Sequence, residues 1–290
     1  MKAHTGFGFG KLILCGEHAV VYGEPAIAFA VQRGTQATLR PHQGPTCIHE
    51  GDVHPELLAA VSDICGPTGW RVSLQTELPI GRGMGSSAAL AAAVARAYAA
   101  ATDGSTESQD LYEAALPIER RFHGNPSGID LACAVDGGGR WFVRGTPPTV
   151  EPITMPAHTF VVMDTGLHGD TSLLVDRVAR DHPENAPVLR AIGDTVRACR
   201  EALPDIDALG PLLSENQRLL SALGVSTPEL DTLIDHAMRH GASGAKLAGA
   251  GGGGVAIALC DGPEGGARVL DAMHTLGARA WLCEPQGTTS

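Results

Sequence analysis

The segment GRGMGSSAAL, residues 81–90, decides how this chain is read. Three glycines alternate with other residues, two serines follow, and the alanine-rich run SSAALAAAVARAYAAA (86–101) continues without a helix breaker. Upstream, RVSLQTEL (71–78) alternates in the manner of a strand, so the order is strand, glycine turn, helix. Small residues in such a turn let backbone N–H groups point inward, at a helix N-terminus that carries partial positive charge. That combination binds phosphate. Two better-known glycine signatures do not fit. A dinucleotide fingerprint needs G-x-G-x-x-G, and Ser86 stands where the third glycine belongs. A Walker A loop needs a hydroxyl after its lysine, and the only glycine-lysine step, GFGFGKL, has Leu12 there. By itself the stretch leaves one alternative open, a plain turn in which Ser86 or Ser87 caps the helix rather than ligating a shared cation.

A second run, GAKLAGAGGGGVAIAL (244–259), places six glycines between a helix and a strand, at a high cost in chain entropy. Its apolar frame argues against a flexible linker, and two such loops suggest a polyphosphate held from two sides. Two further stretches carry charge. GKLILCGEHAVVYGEPAIA (10–28) contains Lys11, Glu17 and His18, and IERRFHGNPSGID (118–130) sets Glu119 and Asp130 on either side of a proline-glycine loop. Singly, each reads as a solvated face or a helix cap. Together they provide what phosphoryl transfer needs: a carboxylate for a metal, a cation, and a carboxylate base. Glu119 and His123 also lie four apart on one helical face, but a zinc site wants a third ligand that no motif offers.

Bulk properties bound the rest. The 290 residues carry a formal charge of -11, which opposes a nucleic-acid or anionic-membrane surface as the main partner. Seven scattered cysteines form no C-x-x-C pair, so neither a disulfide framework nor a zinc knuckle is signalled and a reducing cytoplasm is expected. MKAHTGFGFG lacks the apolar core of a signal peptide, and no run approaches the ~20 apolar residues of a membrane span. The expectation is a soluble, cytoplasmic protein. KLILC (11–15), PAIAFAV (25–31) and QATLR (36–40) read as strands, and SQDLYEAALPIERRF (108–122) as a helix despite Pro117. GNPSG (124–128) reads as a loop before a helix with Ser127 or Asp130 near its first turn, and DGGGRWFVRGTPPTVEPI (136–153) as a hairpin and linker. HTFVVMDTG then opens a strand, four helical stretches follow, and VAIALC, GARVLDAMHTLG and ARAWLC close the chain as strand, helix and strand. A domain boundary near residue 155 follows.

With these stretches in place, the sequence resembles the GHMP kinase superfamily over nearly its whole length. PIGRGMGSSAA (79–89) resembles the superfamily's ATP-phosphate loop and KLAGAGGGG (246–254) its C-terminal glycine loop. The opening GEHAVVYG, the ERRFHGNPSGID stretch, DTG (164–166) with Thr171, and NQRLLSALGVS (216–226) are similar to mevalonate kinase segments in particular. The resemblance implies an α+β fold of two domains. Residues 1–155 would resemble the second domain of ribosomal protein S5, residues 156–290 would be ferredoxin-like, and the site would lie in a cleft between them. It implies ATP and Mg2+ as cofactors, mevalonate as the small-molecule substrate, no nucleic-acid or membrane partner, and a possible homodimer. Carried over residue by residue, Asp130 would be the catalytic base and Lys11 its cationic neighbour. Gly81, Gly83, Met84, Gly85, Ser86, Ser87 and Ala88 would hold the nucleotide, and Ser87 with Glu119 would ligate magnesium. Glu17, His18, Thr171, Gly251 and Gly252 would lie near the mevalonate. The rival readings are another GHMP small-molecule kinase, acting on homoserine, a sugar or a different mevalonate hydroxyl, and a catalytically silent ligand-binding regulator. A silent protein has no need of Lys11, Ser87, Glu119 and Asp130 together.

Overall fold

The computed structural model describes residues 2–49, 55–123, 128–146, 148–169 and 171–287. In chain order these form β1 (His4–Cys15), a 3-10 turn (Ala19–Tyr22), β2 (Pro25–Pro45), β3 (Cys47–Ile48), α1 (Pro55–Cys65), β4 (Thr68–Thr76), α2 (Ser86–Ala101), α3 (Ser108–His123) and α4 (Ile129–Asp136). There follow β5 (Gly139–Val143), β6 (Thr149–Ile153), β7 (Thr159–Asp164), α5 (Thr171–Arg180), α6 (His182–Ala202), α7 (Ile206–Ala222), α8 (Pro228–Arg239), β8 (Ala242–Ala248), β9 (Val255–Cys260), α9 (Gly262–Thr275) and β10 (Arg279–Cys283). They make two compact units, each drawn from separated stretches. One consists of Met1–Lys11, Gln32–Ile80 and Gly85–Gly137, the other of Leu12–Val31, Gly81–Met84 and Gly138–Ser290.

In the first unit, β2 pairs antiparallel with β4 from Thr35↔Thr76 to Pro41↔Trp70, and β3 pairs parallel with β4. Ala37, Leu39 and Val72 face inward, and they pack on Val61 and Cys65 of α1 and on Ala93, Val94 and Ala97 of α2. The opposite flank of α2 (Ala88, Ala91, Ala92, Ala95) packs on Leu111, Ala115 and Ile118 of α3 and on Leu131 and Ala134 of α4. A helix apolar on every side is a buried helix, and alanine is the residue that lets neighbours approach it from all directions. The approach of β1 is the tightest. A Cβ on Gly8 would stand 2.0 Å from the Ala89 carbonyl oxygen, so only glycine fits there. Arg96, the one charged residue of α2, donates to Phe7 O of β1 at 2.9 Å and to Val135 O near the end of α4, where unpaired carbonyls favour a cation.

The strand expectations are met in extended form. PAIAFAV and QATLR are two ends of one strand, β2, because Gly34 between them is no breaker. A Cβ there would meet Gly8 O at 2.2 Å, so the glycine admits a neighbouring backbone. For the same reason β1 begins within HTGFGFG rather than at Lys11.

The second unit contains an antiparallel sheet in the order β10-β7-β9-β8. TFVVMD (β7) and VAIALC (β9) are its central strands and are buried along their full length. The connectivity β7–helices–β8–β9–α9–β10 is the ferredoxin-like βαββαβ pattern. Helix starts follow ordinary chemistry: Asp205 accepts from the Asp207 and Ala208 amides ahead of α7, and Thr227 precedes Pro228 at the start of α8. The 136–153 stretch forms the β5–β6 hairpin, whose β5 pairs with Pro25–Phe29 of β2, and Phe29 stacks on Phe160 of β7. No described helix is long and apolar enough to cross a membrane.

Candidate active site

In the first unit the glycine turn leads into α2 with Gly85 as the N-cap, in the left-handed conformation (φ 69, ψ 35). Ser86 and Ser87 are therefore the first helical residues, and neither holds the capping position left open by the sequence. The amides of this first turn lie at the positive end of the helix dipole. Beside them lies a charged pair. Lys11 Nζ is 3.3 Å from Asp130 Oδ1, with the lysine side chain 5% and the aspartate 27% exposed. A Cβ built on Gly85 would be 3.0 Å from Lys11 Cγ and 3.7 Å from Asp130 Oδ2, so a larger residue would push into the pair. Asp130 is in the first turn of α4, whose N-cap Gly128 is left-handed as well. Residues 124–127, including Ser127, lie outside the described residues.

Glu119 sits on α3 and is buried, next to Ile118 in the helical core. Among the described residues no three His, Cys, Asp or Glu side chains gather into a metal-binding group. One buried carboxylate and one serine hydroxyl are hard oxygen donors, and they suit Mg2+, which is commonly held by one or two carboxylates together with substrate phosphates.

The second unit positions the GEH turn. His18 has φ 60 and ψ -48, an uncommon backbone for a residue with a side chain. Its Nε2 is 2.8 Å from Ala250 O in the second glycine loop. A carbonyl only accepts, so Nε2 carries the hydrogen. Burial lowers the His18 pKa below its ordinary value, against the opposing pull of the Ala250 carbonyl and Glu17, and the Arg177 cation adds to the lowering. The neutral ring thus keeps Nδ1 as an acceptor. Glu17 is held by Lys246, whose Nζ also donates to Leu247 O; the two side chains are 1% and 0% exposed. Leu247 N in turn donates to Gln217 Oε1 at 2.9 Å.

The second glycine loop runs through Gly249, Gly251, Gly252, Gly253 and Gly254, all with positive φ. Much of it serves backbone packing: Gly252 N donates to Val225 O, Gly254 N to Leu167 O, and a Cβ on Gly251 would lie 2.1 Å from Val225 O. The first half of the 81–85 glycine turn rests on it, since a Cβ on Gly83 would be 3.0 Å from Ala248 O. Met84 is buried. Gly83 thus meets the start of the second glycine loop within this unit. Thr171 opens α5, but its side chain lies outside the described residues. None of the seven cysteines is in a disulfide, and burial pushes Cys15 well above the ordinary thiol value and Cys260 up to about 11.

Lys246 has no role in the sequence reading, although a single lysine in the otherwise apolar and small-residue strand ASGAKLA is a signal of a buried pair. The contacts of Arg82 with Asp164 and Gly166 carried no signal in the sequence, because their partners lie more than eighty residues away.

The chain is similar to known proteins in sequence and in fold. The family described as GHMP kinases N terminal domain matches residues 55–138, and GHMP kinases C terminal matches 196–279. The chain is 33% identical to a mevalonate kinase of Archaeoglobus fulgidus, over 88% of this chain and 92% of that protein. It is 32% identical to a mevalonate kinase of Pyrococcus abyssi, over 88% of each. The crystal structure of L. major mevalonate kinase in complex with R-mevalonate matches with a TM-score of 0.88 at 24% identity, over 98% of this chain and 97% of that one.

Proposed function

The chain belongs to the GHMP kinases, and from that premise we propose that it is an ATP-dependent mevalonate 5-kinase, making 5-phosphomevalonate and ADP. The observation that carries this reading is the Lys11–Asp130 pair set at the N-terminus of α2, where phosphate is favoured. Asp130 takes the proton of the C5 hydroxyl as that oxygen attacks the γ-phosphorus, and the bond from γ-phosphorus to the bridging oxygen of ADP breaks. Lys11 balances negative charge as it develops. The amides of residues 83–87 hold the β-phosphate, with Gly81 and Ala88 completing the loop. Ser87 and Glu119 would hold Mg2+, which screens the phosphate charge when bound.

On the acceptor side, His18 receives a mevalonate hydroxyl at Nδ1, with Thr171, Gly251 and Gly252 close by. Glu17, sealed against Lys246, acts through the placement of His18. Domains at 1–155 and 156–290, a homodimer and a cytoplasmic location belong to the same proposal, on the strength of the family resemblance. ADP release from ATP and Mg2+, with mevalonate, homoserine, phosphomevalonate and galactose offered separately, tests the reading. Turnover on mevalonate alone is expected. Turnover on another acceptor and none on mevalonate would overturn the substrate, and none on any would overturn the kinase.

A further inference from the structure

One side chain of the second unit ties the first half of the phosphate loop to the end of a strand. In Gly81–Gly85 only Arg82 is charged, and it stands between two glycines with φ +71 and +82. Backbone with two left-handed glycines has little conformational preference of its own. The Arg82 guanidinium supplies the missing constraint. Its Nη2 donates to Gly166 O at 2.7 Å, and its Nε lies 3.8 Å from Asp164 Oδ1. Asp164 ends β7, is buried, and accepts from Gly166 N at 2.9 Å, so carboxylate and turn form one anchor. The backbone at residue 82 is fitted too: a Cβ on Gly254 would stand 3.0 Å from Arg82 O. None of the roles assigned above uses this arginine.

We infer that Arg82 is a positioning residue for the nucleotide, holding Gly81–Met84 against the Asp164–Gly166 turn so that the loop is ordered before ATP arrives. The inference rests on the kinase reading. A loop that orders only on binding gives up affinity to its lost conformational freedom, and an anchored loop does not. Mevalonate affinity is then independent of Arg82. Removing the arginine has a second, separate consequence, because Asp164 is left buried without its cation and the fold is weakened. Arg82→Lys keeps a cation there but not the planar fork that reaches both partners. Arg82→Ala/Asp164→Asn removes the unpaired charge but restores no anchor.

The test is calorimetric titration of ATP into the wild type, Arg82→Lys and Arg82→Ala/Asp164→Asn, with KM for mevalonate and thermal melting measured alongside. The Kd for ATP is expected to rise about tenfold in both variants, with KM for mevalonate held within about twofold and melting near that of the wild type. ATP binding within about twofold of wild type by the folded variants would overturn the inference. So would equal losses of ATP and mevalonate affinity, the mark of a general structural role. A wild type that binds no ATP would sink the kinase reading itself, and this inference with it.

Discussion

Lys11 and Lys246 are both buried and both paired with a carboxylate, yet the two pairs stand in different surroundings. In the first unit Lys11 meets Asp130, whose side chain keeps 27% of its surface open, next to a helix N-terminus. In the second unit Lys246 meets Glu17 with both side chains sealed, at 0% and 1%. An acid that must exchange a proton with a substrate needs an open side. A sealed pair cannot exchange one, and it serves to fix two chain segments against each other. Here it ties the turn carrying His18 to β8, just ahead of the glycine loop. Residue type alone would rank the two pairs equally, whereas solvent access separates them.

The largest expected effect tests the open pair. Asp130→Asn should lower kcat by about 10²–10⁴-fold, the range for a lost general base, while ATP still binds. Turnover near that of the wild type would show that the open pair is not the reactive one. The sealed pair should answer in stability instead. Lys246→Met alone leaves a buried carboxylate without its cation, at a cost of about 3–5 kcal/mol in denaturant unfolding, and Glu17→Gln in the same chain should recover most of it. A strong loss of kcat in the recovered double variant, with His18 still in place, would give the sealed pair a direct part in catalysis.

A smaller effect concerns pH. Because burial holds the His18 imidazole below its ordinary pKa, the unfolded chain takes up a proton near pH 6.5 that the folded chain resists. The contribution of His18 to stability is therefore whole above about pH 6.5 and declines as the pH falls from there toward the lowered value. Melting of the wild type and of His18→Gln at neutral and mildly acidic pH should show a shallower acid decline in the variant. Equal declines would mean that the ring gains its proton freely in the folded state. The smallest effect is expected at the solvent-facing Glu215–Arg218 pair, three residues apart on α7. Glu215→Gln should leave melting almost unchanged, since exposed pairs contribute little. A marked loss there would undo the use of burial to rank ion pairs.

Much of this molecule was legible in the residues. Alternation in RVSLQTEL, the unbroken alanine run after GSS, and the apolar strands TFVVMD and VAIALC each report a local constraint that repeats every two or every few residues, and each element formed as expected. GFGFG is not legible as strand, because a glycine in a strand is explained only by what lies across from it. At Gly8 that is the Ala89 carbonyl, 81 positions further on. Lys11, His18, Glu119 and Asp130 are legible as residue types suited to phosphoryl transfer. Their chemistry travels with the side chain, but their spacing along the chain says nothing of distance in space.

The sequence by itself determined the two glycine loops, the helix start that favours phosphate, most strands and helices though not α1 or β8, and the set of acids and bases available, because all of these follow from backbone freedom and side-chain chemistry read locally. Only the tertiary structure decided which lysine met which carboxylate, which of the two pairs stayed open, that His18 would face the Ala250 carbonyl, and that Arg82 would anchor its loop on the end of β7. Those outcomes depend on burial and on distances between residues far apart in the chain, and both quantities exist only once the chain has folded.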